Sequence, residues 1–186
     1  MSAVFKNFPV LQTINLVLRR LNSDDVESLF ELYADPTVSS SRERPPFEIV
    51  EEAAILLKQI KDRYSSTTAI RWGIEHRETG KLIGTIGVRS SVPIAAHGEV
   101  DIHFELIEEA RGKGYMAESL STVVNFSLDV IQVHKISAAF FSDNESIPHL
   151  LDKYKFVEEF HDMRYNAAKN AEVEYTIYSR VNPDIH

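Results

Sequence analysis

Glu109-Ala110-Arg111-Gly112-Lys113-Gly114-Tyr115-Met116-Ala117-Glu118 joins a strand-like run to a helix-like run. Glycines at alternate positions let the backbone turn tightly and come close to a ligand. The helix that follows directs its unpaired N–H groups back into the turn. Backbone amides, the positive end of the helix dipole and the side chains of Arg111 and Lys113 together suit a phosphate or pyrophosphate. An anionic cofactor bound here is therefore the first expectation.

Upstream of the turn, residues 99–107 alternate with period two. His97, Glu99, Asp101, His103 and Glu105 fall on one face, and Val100, Ile102, Phe104 and Leu106 on the other. Downstream, a helix is expected over about 114–130. Met116, Leu120, Val123, Val124, Leu128 and Ile131 form its apolar side. A strand over 135–142, a short helix over 144–154 and strands over 156–165 and 172–181 complete that half.

Nearer the start, 11–21 reads as one strand, with Ile14, Leu16 and Leu18 alternating against Asn15, Val17 and Arg19. Asn22 to Asp25 offers helix caps, and Leu29, Phe30, Leu32 and Tyr33 give one apolar side of a short helix ending near Asp35-Pro36. Residues 39–46 form a polar loop stiffened by two prolines, and 48–64 a second helix carrying Ala53, Leu56, Leu57 and Ile60. Strands at 69–76 and 81–89 flank the hairpin signal Glu78-Thr79-Gly80. The order β-α-α-β-β-β-α-β-α-β-β predicts an α/β (α+β) fold. Its central sheet is mixed and mostly antiparallel, with one parallel crossover and about four flanking helices.

The chain has 186 residues, 44% hydrophobic and 26% charged, which favours one globular domain over 1–186. With no cysteine, disulfides, thiolate metal sites and a cysteine nucleophile are excluded. A net charge of −8 argues against direct nucleic-acid binding. It is compatible with a cationic substrate and equally with simple solubility. Gln12, Thr13 and Asn15 interrupt the early apolar run, which ends in Arg19-Arg20. No signal peptide or membrane span is expected, and the cytoplasm is the expected location.

Gly112-x-Gly114-x-x-Ala117 also fits the loose dinucleotide fingerprint. That fold wants an acidic residue about 20 positions on, at the end of the next strand. Asp129 lies inside the expected helix and Asp143 lies too far along. A nucleotide P-loop is excluded, because Gly114 is not followed by Lys and Ser/Thr.

Arg111-Gly112-Lys113-Gly114-Tyr115 resembles the acetyl-CoA motif R/Q-x-x-G-x-G/A of the GNAT superfamily of N-acetyltransferases. The wider layout is similar to the Rim-type branch, which acetylates ribosomal-protein N-termini. Leu16-Val17-Leu18-Arg19 with Asp24-Asp25, the hairpin Thr79 to Gly84, and Asp143-Asn144-Glu145 followed by Lys153-Tyr154-Lys155-Phe156 carry that likeness. The resemblance implies acetyl-CoA as co-substrate, held by Arg111, Gly112, Lys113, Gly114, Tyr115, Met116 and Ala117. It places the pantetheine along Leu106 and Ile107, adds a contact from Asn144, and calls for no metal. Four positions depart from the pattern. Met116 stands where the motif has Gly or Ala, Ile147 where the branch has Ser, Lys155 where Gly is usual, and Leu151 where other members carry a catalytic Tyr.

Acetyl transfer to an amine needs loss of the amine proton, stabilisation of negative charge on the carbonyl oxygen, and departure of a thiolate. Glu105 or His103, directly or through water, is expected to receive the proton, and the other carboxylates to draw a cation into the cleft. The Ile107 N–H is a candidate to polarise the carbonyl. Tyr154 or His149 is a candidate acid for the thiolate. A solvated sheet face gives the same alternation, and its two His and three carboxylates also match a metal site in residue type. Trp72 is expected in the core.

The acceptor is expected to be a primary amine: a protein N-terminus, or a small amine such as a polyamine or aminoglycoside. A non-catalytic CoA-binding protein and a nicotinamide-dependent oxidoreductase are the competing classes. Strand edges often pair in this family, so a homodimer is compatible with the likeness.

Overall fold

The computed structural model describes residues 3–40, 45–141, 146–167 and 169–185. Its strands are β1 (Leu11–Gln12), β2 (Leu16–Arg20), β3 (Ala69–His76), β4 (Leu82–Arg89), β5 (Glu99–Leu106), β6 (Lys135–Phe141), β7 (Val157–Asn166) and β8 (Ala171–Val181). They form one eight-stranded sheet in the spatial order β1-β2-β3-β4-β5-β6-β8-β7. Every neighbouring pair is antiparallel except β5 with β6. The helices are α1 (Val26–Ala34), α2 (Pro36–Ser40), α3 (Val50–Ser65), α4 (Tyr115–Asn125) and α5 (Ser146–Lys153).

Alternation sorts the sheet into two faces. Leu16, Leu18, Ile70, Trp72, Ile74, Ile86, Val88 and Ile102 point to one side and are almost inaccessible. Leu120, Val123 and Val124 of α4 pack on them, together with Leu128 and Ile131 from the π-helical turn Phe126–Ile131 that extends α4. Trp72 is wholly buried beside Phe8 and Phe126, a core role as expected. Burial of each such side chain contributes about 1.5–3 kcal/mol before the entropy of ordering is subtracted. A smaller cluster covers the opposite face, built from Leu29, Leu32 and Tyr33 of α1, Ala53 and Leu57 of α3, and Leu21 and Leu82.

Residues 11–21 make a small hairpin rather than one strand. Leu11 pairs with Leu18 and Gln12 with Val17. Thr13 closes the turn: its N–H donates to Leu16 O at 3.0 Å, and its Oγ1 accepts the Leu16 N–H at 2.9 Å. The loop expected over 39–46 begins later than the sequence suggests, because Pro36–Ser40 forms a short helix. Its first free N–H, on Thr37, donates to Asp35 Oδ1 at 2.7 Å. Residues 41–44, including Arg42 and Arg44, lie outside the described residues. His97 is not part of β5. It sits in a left-handed turn (φ 64°) just before the strand and donates its N–H to Gln132 O.

One irregularity places the site. The parallel ladder joins Glu99 to Lys135, Val100 to Ile136 and Asp101 to Ser137, and stops there. Yet β5 runs on to Leu106 and β6 to Phe141. The two strands therefore diverge, leaving a wedge that opens toward the glycine turn.

Candidate active site

The turn at the wide end of the wedge has the conformation that its glycines allow. Gly112 has φ 72° and Gly114 φ 83°, both left-handed. No atom lies within 4 Å of where a side chain would begin at either residue. Backbone conformation and open space, not crowding, select glycine here. Gly114 is the N-cap of α4, and no side chain caps that helix. The first-turn N–H groups of Tyr115, Met116 and Ala117 are thus left to an external acceptor. The residues fit an anionic group such as a diphosphate.

Neighbouring chain braces this turn. The Tyr115 hydroxyl lies 3.1 Å from His76 Nε2, and the two rings meet edge-on at 5.4 Å. Glu118 accepts the Asn15 N–H at 2.8 Å and Asn15 Nδ2 at 2.9 Å. Met116 is half-buried against the main core, so its departure from Gly or Ala is a packing feature. Lys113 is exposed. Arg111 does not reach outward over the turn as expected. Its guanidinium donates to Leu106 O at 3.2 Å and to Asp35 Oδ2 at 2.6 Å, tying β5 to the end of α1.

The polar row of β5 is not a solvated face along its whole length. Glu99 and Asp101 are exposed, His103 is half-buried and Glu105 is buried. Helices α1 and α3 cover the half nearest the wedge. There, three donors converge on Glu105 Oε2: the Arg71 guanidinium, the Thr85 hydroxyl at 2.8 Å and the Tyr33 hydroxyl at 3.1 Å. Arg71 Nη2 also donates to Tyr33 Oη at 2.7 Å and to Thr85 Oγ1 at 2.8 Å. The side chains of Arg71 and Glu105 are only 13% and 4% exposed. Burial alone pushes the Arg71 guanidinium down, but Glu105 and Tyr33 outweigh it and hold it above its ordinary value. His103 lines a groove beneath α3 with Arg63, Arg71 and Arg89. Asp101 lies 3.9 Å from Arg89. Partial loss of hydration and the nearby Glu99 push the Asp101 carboxyl up, against the pull of Arg89. The row was expected to be acidic; Arg89 and Arg71 face two of its three carboxylates, Asp101 and Glu105.

Two other expectations need correction. The Ile107 N–H donates to Ile83 O at 3.0 Å, as part of the sheet. It is not available to a carbonyl unless that bond opens. The Tyr154 hydroxyl donates to Ala117 O at 2.8 Å, so as an acid it would have to leave the first turn of α4. His149 is exposed on α5, and Asn144 lies outside the described residues. Leu151 is fully buried and Ile147 packs on the same core, which gives both departures a packing role. Lys155 adopts φ 62°, the conformation for which the usual Gly is suited. Among the described residues, no three His, Asp or Glu side chains gather as metal ligands. Nor is any helix there long and apolar enough to cross a membrane. Arg71, Thr85 and Tyr33 were not foreseen as parts of the site. Their only signal was the topology that lays two neighbouring strands and a helix beside β5.

A wedge between parallel strands, ending in an uncapped glycine turn beside a buried carboxylate, describes an acyl-CoA-dependent transferase fold. Residues 15–157 match the Acetyltransferase (GNAT) domain, and the chain belongs to that family of N-acetyltransferases. It is 31% identical over 176 residues to the uncharacterized N-acetyltransferase YoaA of Bacillus subtilis (strain 168), covering 95% of this chain and 98% of that protein. The fold is shared with ribosomal-protein-S5-alanine acetyltransferase from Vibrio fischeri, with TM-score 0.81, 19% identity, and coverage of 95% and 98% of the two chains. It is shared too with spermidine N-acetyltransferase from Vibrio cholerae, solved with CoA and spermine, with TM-score 0.78, 20% identity, and coverage of 91% and 97%.

Proposed function

We propose that this enzyme transfers an acetyl group from acetyl-CoA to the α-amine of a protein or peptide N-terminus. Acetyl-CoA supplies an acetyl group activated as a thioester. The amides of Gly112 to Ala117 hold the diphosphate, with Lys113 adding charge beside them. Leu106 and Ile107 border the pantetheine path, and Asn144 adds a contact by family likeness. Glu105, at the wide end of the wedge, receives the amine proton; His103 is the next group along the strand. Residues 1–186 act as one catalytic domain in the cytoplasm, without a metal, as a monomer or homodimer.

The observation that carries the choice of acceptor is charge balance. Glu105 is paired with Arg71, and Asp101 faces Arg89, so this face lacks the surplus negative charge a polyamine would favour. Proton chemistry points the same way. With pKa values near 8 and near 10.4, roughly one α-amine in ten is neutral at pH 7, against fewer than one lysine-like amine in a thousand. A carboxylate already bound to three donors suits the easier proton.

Likeness to the spermidine enzyme supports a second reading, with a polyamine as acceptor. Thiol release from acetyl-CoA separates the two. An alanine-initiated tetrapeptide should exceed spermidine at least tenfold in kcat/KM. Preference for spermidine would reverse the choice of acceptor. Acetyl-CoA binding with no thiol release from any primary amine would defeat the reaction itself.

A further inference from the structure

Arg71 stands outside the cofactor turn and outside the polar row of β5, yet it is the buried cation of the site. It lies on β3, with Gly87 of β4 directly between it and His103. A side chain begun at Gly87 would sit 2.5 Å from Ile70 O and 2.9 Å from Arg71 Cα. Glycine there is required by the close approach of the β3 backbone, and the Arg71 guanidinium crosses β4 beside it to reach Glu105.

We propose that Arg71 is a positioning residue for amine deprotonation, acting through Glu105. This rests on the reading that Glu105 receives the amine proton. A carboxylate as buried as Glu105 is costly unless a cation faces it, and it would otherwise take up a proton and cease to be a base. Arg71 provides that cation. With the hydroxyls of Thr85 and Tyr33, it directs three donors at Oε2. This fixes the plane of the carboxylate that receives the amine proton. Tyr33 accepts from Arg71 while donating to Glu105, so the same cation sets the position of α1 against the sheet. Lysine would supply charge without the planar fork.

The test uses the full chain and thiol release from acetyl-CoA, with the alanine-initiated tetrapeptide and spermidine as acceptors. The variants are Arg71→Met, Glu105→Gln and the double variant. Arg71→Met should lose about a hundredfold in kcat, the scale of general-base catalysis, with acetyl-CoA affinity unchanged. In a companion Arg71→Ala variant, whose truncated side chain leaves room for it, methylguanidine should restore at least about a tenth of the lost rate. In the Glu105→Gln background, Arg71→Met should cost nothing further, because the two act as one unit. Replacing both charges of a buried pair is often close to neutral, whereas Glu105→Gln alone leaves the guanidinium unpaired. The comparison is therefore made between Glu105→Gln and the double variant once circular dichroism shows both folded, and it stands even if Arg71→Met does not fold.

A kcat for folded Arg71→Met within threefold of the parent would overturn the inference. So would a double variant more than tenfold slower than Glu105→Gln. If the parent turns over an amine and Glu105→Gln equals it, Glu105 falls as base and Arg71 with it. If the parent binds acetyl-CoA but releases no thiol, the proposed reaction itself is overturned.

Discussion

Arg111 donates from Nη2 to Asp35 Oδ2 at 2.6 Å, fastening the start of the glycine turn to the end of α1. Partial burial opposes ionisation of Asp35, but the Thr37 N–H and the Arg111 guanidinium hold its carboxyl below the ordinary value. A carboxyl that is harder to protonate in the folded chain adds stability above its unfolded pKa. That stability is lost as pH falls through the folded value. Asp35→Ala should therefore cost about 1 kcal/mol at pH 7. The gap from the parent should start to close below about pH 4. Urea unfolding at pH 7 and at pH 3 measures both, and a gap that stays constant would rule out the ion pair as its source.

Gly114→Ala and Gly80→Ala form a matched pair. Both glycines are left-handed, at φ 83° and 66°, and neither has an atom within 4 Å of a new side chain. Each substitution should cost about 1 kcal/mol of stability through backbone strain. Only Gly114→Ala should also weaken acetyl-CoA binding, by about tenfold or more, since it alone disturbs the uncapped helix start. Calorimetric titration distinguishes them, and equal affinities would remove the turn from the cofactor site.

Lys155→Gly should stabilise the protein. Lys155 pays a left-handed backbone cost of about 1–2 kcal/mol at φ 62°. Glycine relieves it while adding about 0.5–1 kcal/mol of unfolded-state entropy. The expected net gain is up to about 1.5 kcal/mol, or at most roughly 3–6 °C in Tm for a chain of this size. A lower Tm would show that the lysine side chain contributes more than its backbone strain costs.

Tyr33→Phe removes one donor to Glu105 and one acceptor for Arg71, both inside the structure. A stability loss of about 1–3 kcal/mol is expected, as for a buried hydrogen-bonding group left short of a partner. Thermal unfolding measures it, and an unchanged Tm would mean that water or a neighbour replaces the hydroxyl.

The sequence revealed the elements where one period persisted. The alternation over 99–107 located β5 and its two faces, and the spacing of Leu120, Val123, Val124 and Leu128 located the buried side of α4. Those signals are local, and hydrophobic burial enforces them. It failed where the pattern ran through a turn: Ile14 and Leu16 keep the alternation although Thr13 to Asn15 reverse the chain. For the site, the glycine turn was legible because left-handed backbone leaves a mark in residue type. The Arg71–Glu105 pair was not, because its partners are 34 positions apart and meet only through strand order. The same limit applied to Arg111, whose partner Asp35 lies 76 positions away.

With acetyl-CoA lying between β5 and β6 as proposed, their divergence would make part of the sheet conditional on the co-substrate. Beyond Asp101 and Ser137 the two strands no longer bond to each other, so an extended, amide-bearing ligand can serve there as a guest strand. Its arrival would slow hydrogen exchange along both lips of the gap while leaving the β3–β4 ladder untouched. The protein would then be firmest while it is loaded for turnover, and loosest just after the spent carrier departs.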